Sequence, residues 1–204
     1  MTGLTDVVMG CLGVYLLVQL RRWRSFKSTI WVWAFTLLAV ASCLGAVAHG
    51  LEMSKTINHL LWQPLNLSLG LALGFFVVGA VFDVWGERAA RKMTQVMLSL
   101  GIIFYLVTVF IPGTFLTFIA YEAVAMFFAL GVYILLTVKK SLPGAEWMTA
   151  GVLVTIVAAI VQAVGPHQQS IVWYFDNNGI FHLIQMVGLL LVWRGLHIGL
   201  AVRK

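Results

Sequence analysis

The chain has 204 residues, of which 61% are hydrophobic and 10% charged, with a mean hydropathy of +0.98. A soluble domain carries about 25% charged residues, so that class is excluded. The net charge of +6 is no nucleic-acid signal either, because there is no soluble basic face with interleaved aromatics.

The apolar residues fall in runs of about 20, the length that crosses a hydrocarbon core of ~30 Å. The class this predicts is all-α: one polytopic domain over 1–204, integral and multi-pass, placed in a bacterial inner membrane. The opening Met-Thr-Gly-Leu-Thr-Asp lacks the basic region of a cleaved signal peptide, so the first helix reads as retained. Seven spans are predicted: Leu4–Leu20, Thr29–Leu51, Ile57–Val84, Met93–Ile111, Thr114–Val138, Trp147–Val164 and Asn178–Val202. Cys11 and Cys43 fall inside spans and read as small apolar residues rather than as a disulfide.

Basic residues sort by connection. Arg21, Arg22, Arg24 and Lys27 lie between the first two spans, and Arg88, Arg91 and Lys92 between the third and fourth. Lys139 and Lys140 follow the fifth span, and Arg203 and Lys204 close the chain. The alternate connections hold only Lys55. Positive charge marks the cytoplasmic side, which predicts an outside N-terminus and an inside C-terminus.

Pro112-Gly113 and Pro143-Gly144 predict tight turns. Pro64 predicts a kink or a first helical turn in span three. The longest outer connection, 165–177, carries Trp173, Tyr174 and Phe175 as an interfacial aromatic group. Gly70, Gly74 and Gly79, with Gly195 and Gly199, predict close helix packing.

Polar residues inside the spans concentrate at one depth. His49 closes span two, Asn66 lies early in span three, and Glu122 is about eight residues into span five. Gln162 closes span six, while Asn178, His182 and Gln185 share one face at the start of span seven. The inner half offers only Ser99, His197, Arg194 and end charges. Lipid hosts such groups at a cost unless they face protein or water, so they predict a shared pocket in the outer half. Asn66, Glu122, Gln162, Asn178 and Gln185 would line it, and His49, His182 and Glu122 would serve as metal ligands. His59 is an interfacial candidate, whereas His167 and His197 lie away from this layer.

Three chemistries fit: a zinc centre with an open position for water, a haem between two histidines, or a lipid-headgroup pocket without catalysis. A retinal pigment is disfavoured because span seven has no lysine for a Schiff base.

Seven spans, an outside N-terminus, the segment Gly45-Ala-Val-Ala-His49 and the segment Asn178-Gly-Ile-Phe-His182 with Gly188 beyond together resemble a known superfamily. It comprises the alkaline ceramidases and the progestin/adipoQ-type receptors. The resemblance implies a zinc-bound intramembrane hydrolase site acting on a lipid amide or ester, with His49 and His182 as ligands. Asn178 stands where that family has a zinc-binding histidine, and Gly45 where it has a serine, with Ser42 a turn away. Trp62 and Gln63 occupy the region of its span-three aspartate, which leaves Glu122 or His59 to supply a third ligand. Asn and Gln are poor zinc ligands and suit hydrogen-bonded recognition better. The expected function is therefore a membrane protein that binds a lipid or small ligand, or a subunit of a membrane complex. The alternatives are the metal-dependent hydrolase and a haem protein.

Overall fold

The computed structural model describes residues 1–111, 115–164, 169–170 and 174–202. The Pro112-Gly113 turn, His167, Trp173, most of the outer connection and the final Arg203-Lys204 lie outside the described residues. The chain forms α1 (Thr2–Leu20), α2 (Phe26–Gly50), α3 (Lys55–Phe110), α4 (Phe115–Val138), α5 (Ala145–Val164) and α6 (Asn177–Ala201). A short 3-10 turn (Arg21–Trp23) links α1 to α2, and a two-residue antiparallel ladder pairs Gln169–Ser170 with Tyr174–Phe175 before α6. Six helices are long and apolar enough to cross a membrane. Their outward faces expose large apolar side chains, including Val14, Trp33, Ile103, Val124, Phe127 and Val187. A water-facing surface rarely tolerates so extensive an apolar cover.

The connection predicted over residues 85–92 is helical. α3 spans 56 residues, broken only at Gly86, where φ is +81° and ψ is −177°. That conformation is open to glycine and strained for any residue with a Cβ. The break folds α3 back on itself. A Cβ at Gly70 would meet the Phe104 ring at 2.6 Å, and one at Gly74 would meet Met97 at 3.3 Å. Two arms, 55–85 and 87–110, therefore lie antiparallel, which is why the predicted spans three and four occur inside one helical element. Pro64 sits within the first arm, and the Ser68 hydroxyl donates to its carbonyl at 2.8 Å. At this carbonyl the side chain supplies a local partner near the point where proline removes a backbone donor.

α5 and α6 approach closely because small residues face each other. A Cβ at Gly195 would lie 2.6 Å from the Gly144 carbonyl, and one at Gly188 would lie 2.9 Å from Thr155 Oγ1. The expected small-residue packing thus falls between α6 and the start and middle of α5. Cys11 and Cys43 are both free and exposed.

The helix ends define two ends of the bundle. One, the polar end, gathers the start of α1, the end of α2, the start of α3, the end of α5 and the start of α6. The other, the basic end, carries Arg21, Arg22, Arg24, Arg88, Arg91, Lys139 and Lys140.

Lys27 departs from its expected place among those loop charges. It lies inside α2, buried, and its ammonium pairs with Asp83 of α3 at 2.5 Å. The Tyr133 hydroxyl of α4 donates to the second Asp83 oxygen at 3.2 Å. The half of the bundle toward the basic end thus holds a buried carboxylate and a buried amine. The reason is mutual neutralisation: each charge alone would cost several kcal/mol in this setting, and the pair with its hydrogen bond offsets that cost.

Lys27→Met should leave Asp83 buried without a counter-charge and lower stability by about 3–5 kcal/mol, whereas Lys27→Met/Asp83→Leu should recover most of the loss. Thermal unfolding in detergent separates the two; equal destabilisation by single and double variants would contradict the pairing.

Candidate functional site

The first turns of α1 carry Thr2, Thr5 and Asp6, spaced so that they share a face of an otherwise apolar helix. All three are buried. Asp6 can reach α2 because Gly45 leaves it room: a Cβ at Gly45 would stand 2.8 Å from Asp6 Oδ1. The position where the resemblance expects a serine is thus filled by the carboxylate of a different helix.

Asp6 is the hub of the polar end. His49 Nδ1 lies 2.8 Å from Asp6 Oδ2, and His182 Nε2 lies 3.4 Å from Asp6 Oδ1. His182 Nδ1 is 2.9 Å from the Thr5 hydroxyl, which also reaches the Thr2 carbonyl at 2.8 Å. A hydroxyl has one proton, so two arrangements satisfy this set. Thr5 donates to Thr2 and His182 is an imidazolium paired with Asp6, or Thr5 donates to His182 Nδ1 and a neutral ring donates from Nε2. Both leave each imidazole nitrogen that faces the hub with a partner. The Asp6–His49 and Asp6–His182 contacts tie α1 to α2 and to α6.

A second tie lies just outside α6. Asp176 is its N-cap and accepts from the Gly179 N–H at 2.7 Å and from the Thr2 hydroxyl at 2.6 Å. Burial pushes its carboxyl upward, but the Thr2 and Gly179 hydrogen bonds and the nearby His49 charge hold it below its ordinary value.

Beneath these contacts runs a cavity of about 300 Å³. It is lined along α2 from Trp31 to His49, along the first arm of α3 from Trp62 to Phe76, and along α6 from Asn178 to Val192. At 1.5 Å per residue those stretches are roughly 27, 21 and 21 Å long, so the cavity is long and narrow. α1, α4 and α5 complete the wall, while the second arm of α3 contributes nothing to it.

Apart from the Trp31 indole N–H, the polar groups gather toward one end. Asp6, His49, Gln162, Asn178 and His182 form the rim, and Ser42, Glu122 and Gln185 lie deeper, each roughly 10–12 Å from its helix end. The far half is walled chiefly by Phe35, Phe76, Met126, Leu189 and Val192. Gln162 donates to Asn178 at 2.8 Å across α5 and α6. Ser42 Oγ, Glu122 Oε2, Gln162 Oε1, Gln185 Oε1 and, at the far end, Trp31 Nε1 are buried atoms with no hydrogen-bond partner among the described residues. Buried polar atoms are normally satisfied, so these five leave hydrogen-bonding capacity around one cavity for water or a ligand.

Of the residues the sequence nominates, Glu122, Gln162, Asn178, Gln185, His49 and His182 all line this cavity, and Asn66 does not. Asn66 sits on the first arm of α3 between the lining residues Leu65 and Leu69, about 100° per residue round the helix from Leu65. His59 is outside too, in a surface groove, 3.1 Å from Gln63. His197 packs between Trp23 and Trp193 near the basic end.

Among the described residues no group of three or more His, Cys, Asp and Glu side chains is placed to hold a metal ion. His49, His182 and Glu122 do not assemble the expected three-ligand set, because the two imidazoles are engaged with Asp6 and Thr5. The nominated trio therefore does not form a zinc site among the described residues. Nor does it fit a haem: the Asp6 carboxylate takes the space between the imidazoles where an iron would have to sit.

The chain belongs to a family of unknown function, DUF6962, whose model matches residues 1–201 and so covers every residue of the site. No curated protein and no solved structure matches it significantly.

Asp6→Asn should cost about 1–3 kcal/mol, since a carboxylate serving two imidazoles is replaced by a group that offers one of them an N–H. A melting temperature in detergent unchanged by this variant would contradict the hub. Asp176 supplies a pH dependence. Because folding lowers its pKa, the ionised cap stabilises the protein at neutral pH, and this is lost as pH falls below about 4. Asp176→Asn keeps a capping oxygen but has no titration, so its melting temperature should lie below that of the parent at pH 6 and draw level near pH 3.

Proposed function

We propose that this is a multi-pass integral membrane protein that crosses the bilayer seven times, the two arms of α3 counting separately, and holds one lipid-like amphiphile in its cavity. Each arm is long enough to span a core of ~30 Å. The basic end faces the cytoplasm, where Lys and Arg collect, and the polar end faces outward. The ligand's head lies among Glu122, Gln185 and the Asp6–histidine cluster, and its chain runs toward Phe35 and Phe76.

The single observation that carries this reading is the polarity of the cavity along its length. A cavity of about 300 Å³ is at the lower end of the ~300–1,000 Å³ range of small-molecule sites. One polar end with unpartnered buried atoms and one long apolar end match a head and a chain. A polar solute would leave the apolar half without a complement, and a pure hydrocarbon would leave Glu122 Oε2 and Gln185 Oε1 unpaired. Metal-dependent hydrolysis, which the resemblance implies, draws no support from the nominated ligands.

Protein purified in mild detergent should carry a single-chain amphiphile detectable by native mass spectrometry and by analysis of the organic extract. Ala72→Phe, which pushes a ring into the apolar half, should reduce the bound fraction by about tenfold or more while the fold persists. Wild-type protein without any bound amphiphile, or equal occupancy in the variant, would sink the proposal.

A further inference from the structure

The polar end of the cavity carries carboxyl groups and unpartnered oxygens but no Lys or Arg among the described residues, and this bears on which head it takes. Glu122 Oε2, Gln162 Oε1 and Gln185 Oε1 are three unpartnered acceptor oxygens on α4, α5 and α6. Glu122 and Gln185 are only 5% and 9% exposed, so bulk water does not serve them. Two of the donors nearby are committed. Gln162 Nε2 serves Asn178, and His49 Nδ1 serves Asp6. The Asn178 and Gln185 amide nitrogens, also on the wall, have no partner among the described residues, and Trp31 Nε1, likewise unpartnered, stands at the opposite, apolar end. Among the described residues no Lys or Arg lines the cavity, although the chain has 13 of them. Two carboxyl groups, Asp6 and Glu122, do line it.

Resting on the proposed amphiphile site, we infer that the cavity selects a single-chain amphiphile whose head donates hydrogen bonds and bears no negative charge. A hydroxyl, amide or ammonium head satisfies this, and a carboxylate or phosphate head does not. Each hydroxyl or N–H of such a head can pair with one of the three free oxygens, and Ser42 Oγ can either give or accept. An anionic head would place its charge beside Asp6 and Glu122 in a setting of low polarity, with no Lys or Arg on the wall to offset it. The imidazoles do not relieve it, since any positive charge they carry already faces Asp6. Anion sites are ordinarily built from Arg forks, Lys or helix N-termini. Here Asp176 itself caps the helix N-terminus at the rim.

The test uses the full-length protein in detergent, stripped of bound lipid, and four probes with one chain length. These are 1-monopalmitoylglycerol, hexadecylamine, palmitate and 1-palmitoyl lysophosphatidate, scored by titration calorimetry and by ligand-induced shifts in melting temperature. The glycerol and amine heads should bind at least about tenfold more tightly than the two anions, as expected when two or more hydrogen bonds are lost. Gln185→Leu should weaken the glycerol head by about tenfold and leave palmitate unchanged. Glu122→Gln, which preserves shape and so protects against misfolding, should weaken the amine and spare the glycerol head. Anions that bind as tightly as the glycerol head, or donor heads indifferent to Gln185→Leu, would overturn the inference while leaving the amphiphile site standing. If no probe binds and no lipid co-purifies, the amphiphile site itself fails, and the inference with it.

Discussion

The structure depends on one constraint: a buried carboxylate in an apolar bundle must find its partners in other helices. Asp6 shows the consequence. With its side chain 4% exposed and the imidazoles of His49 and His182 beside it, it joins its own helix α1 to the neighbouring α2 and to the distant α6. Asp83 does the same near the other end, drawing Lys27 from α2 and Tyr133 from α4. In lipid, apolar packing gives little preference for one helix arrangement over another, since acyl chains are as apolar as leucine. Polar pairings that tolerate only one partner therefore carry much of the specificity. They also stand near both ends of the cavity, and they hold its walls apart as well as together.

The middle of the cavity follows from what those pairings leave. Gly45 cedes its side-chain space to Asp6. Ser42, Glu122 and Gln185 remain just beyond reach of the hub, each with a buried oxygen unmatched. A purely structural polar layer would close such a set by mutual hydrogen bonds, as Gln162 and Asn178 do on the rim. A layer that stays open above an apolar cavity is what the proposed function assigns to the head of an amphiphile.

The legible part of this arrangement was the part governed by periodicity and by single-residue cost. Apolar runs mark where helices lie, and an acid such as Glu122 or a histidine such as His182 in such a run marks a protein-facing side chain. Six of the seven nominated side chains meet at one cavity for that reason. Asp6 escaped because it sits at the start of α1, where a polar residue reads as interfacial. The available signal was the spacing of Thr2, Thr5 and Asp6 on one face. Lys27 escaped for a similar reason: among Arg21, Arg22 and Arg24 it reads as one more loop charge, and only its partner Asp83 distinguishes it. The linker between the predicted third and fourth spans was misread because its residues favour helix, and one glycine suffices for the turn.

From the chain alone follow the helical class, the approximate span limits, the clustering of bases at alternate connections and the polar character of one layer. Each of these depends on composition over a window of neighbours, which the chain carries locally. The tertiary structure decided which polar groups meet, that the two histidines turn toward Asp6 rather than toward Glu122, and that a narrow cavity runs below them. Those outcomes depend on helix rotation and on contacts between residues as distant as Thr5 and His182. Spacing along one helix fixes a shared face, but only packing against the other helices fixes where that face points.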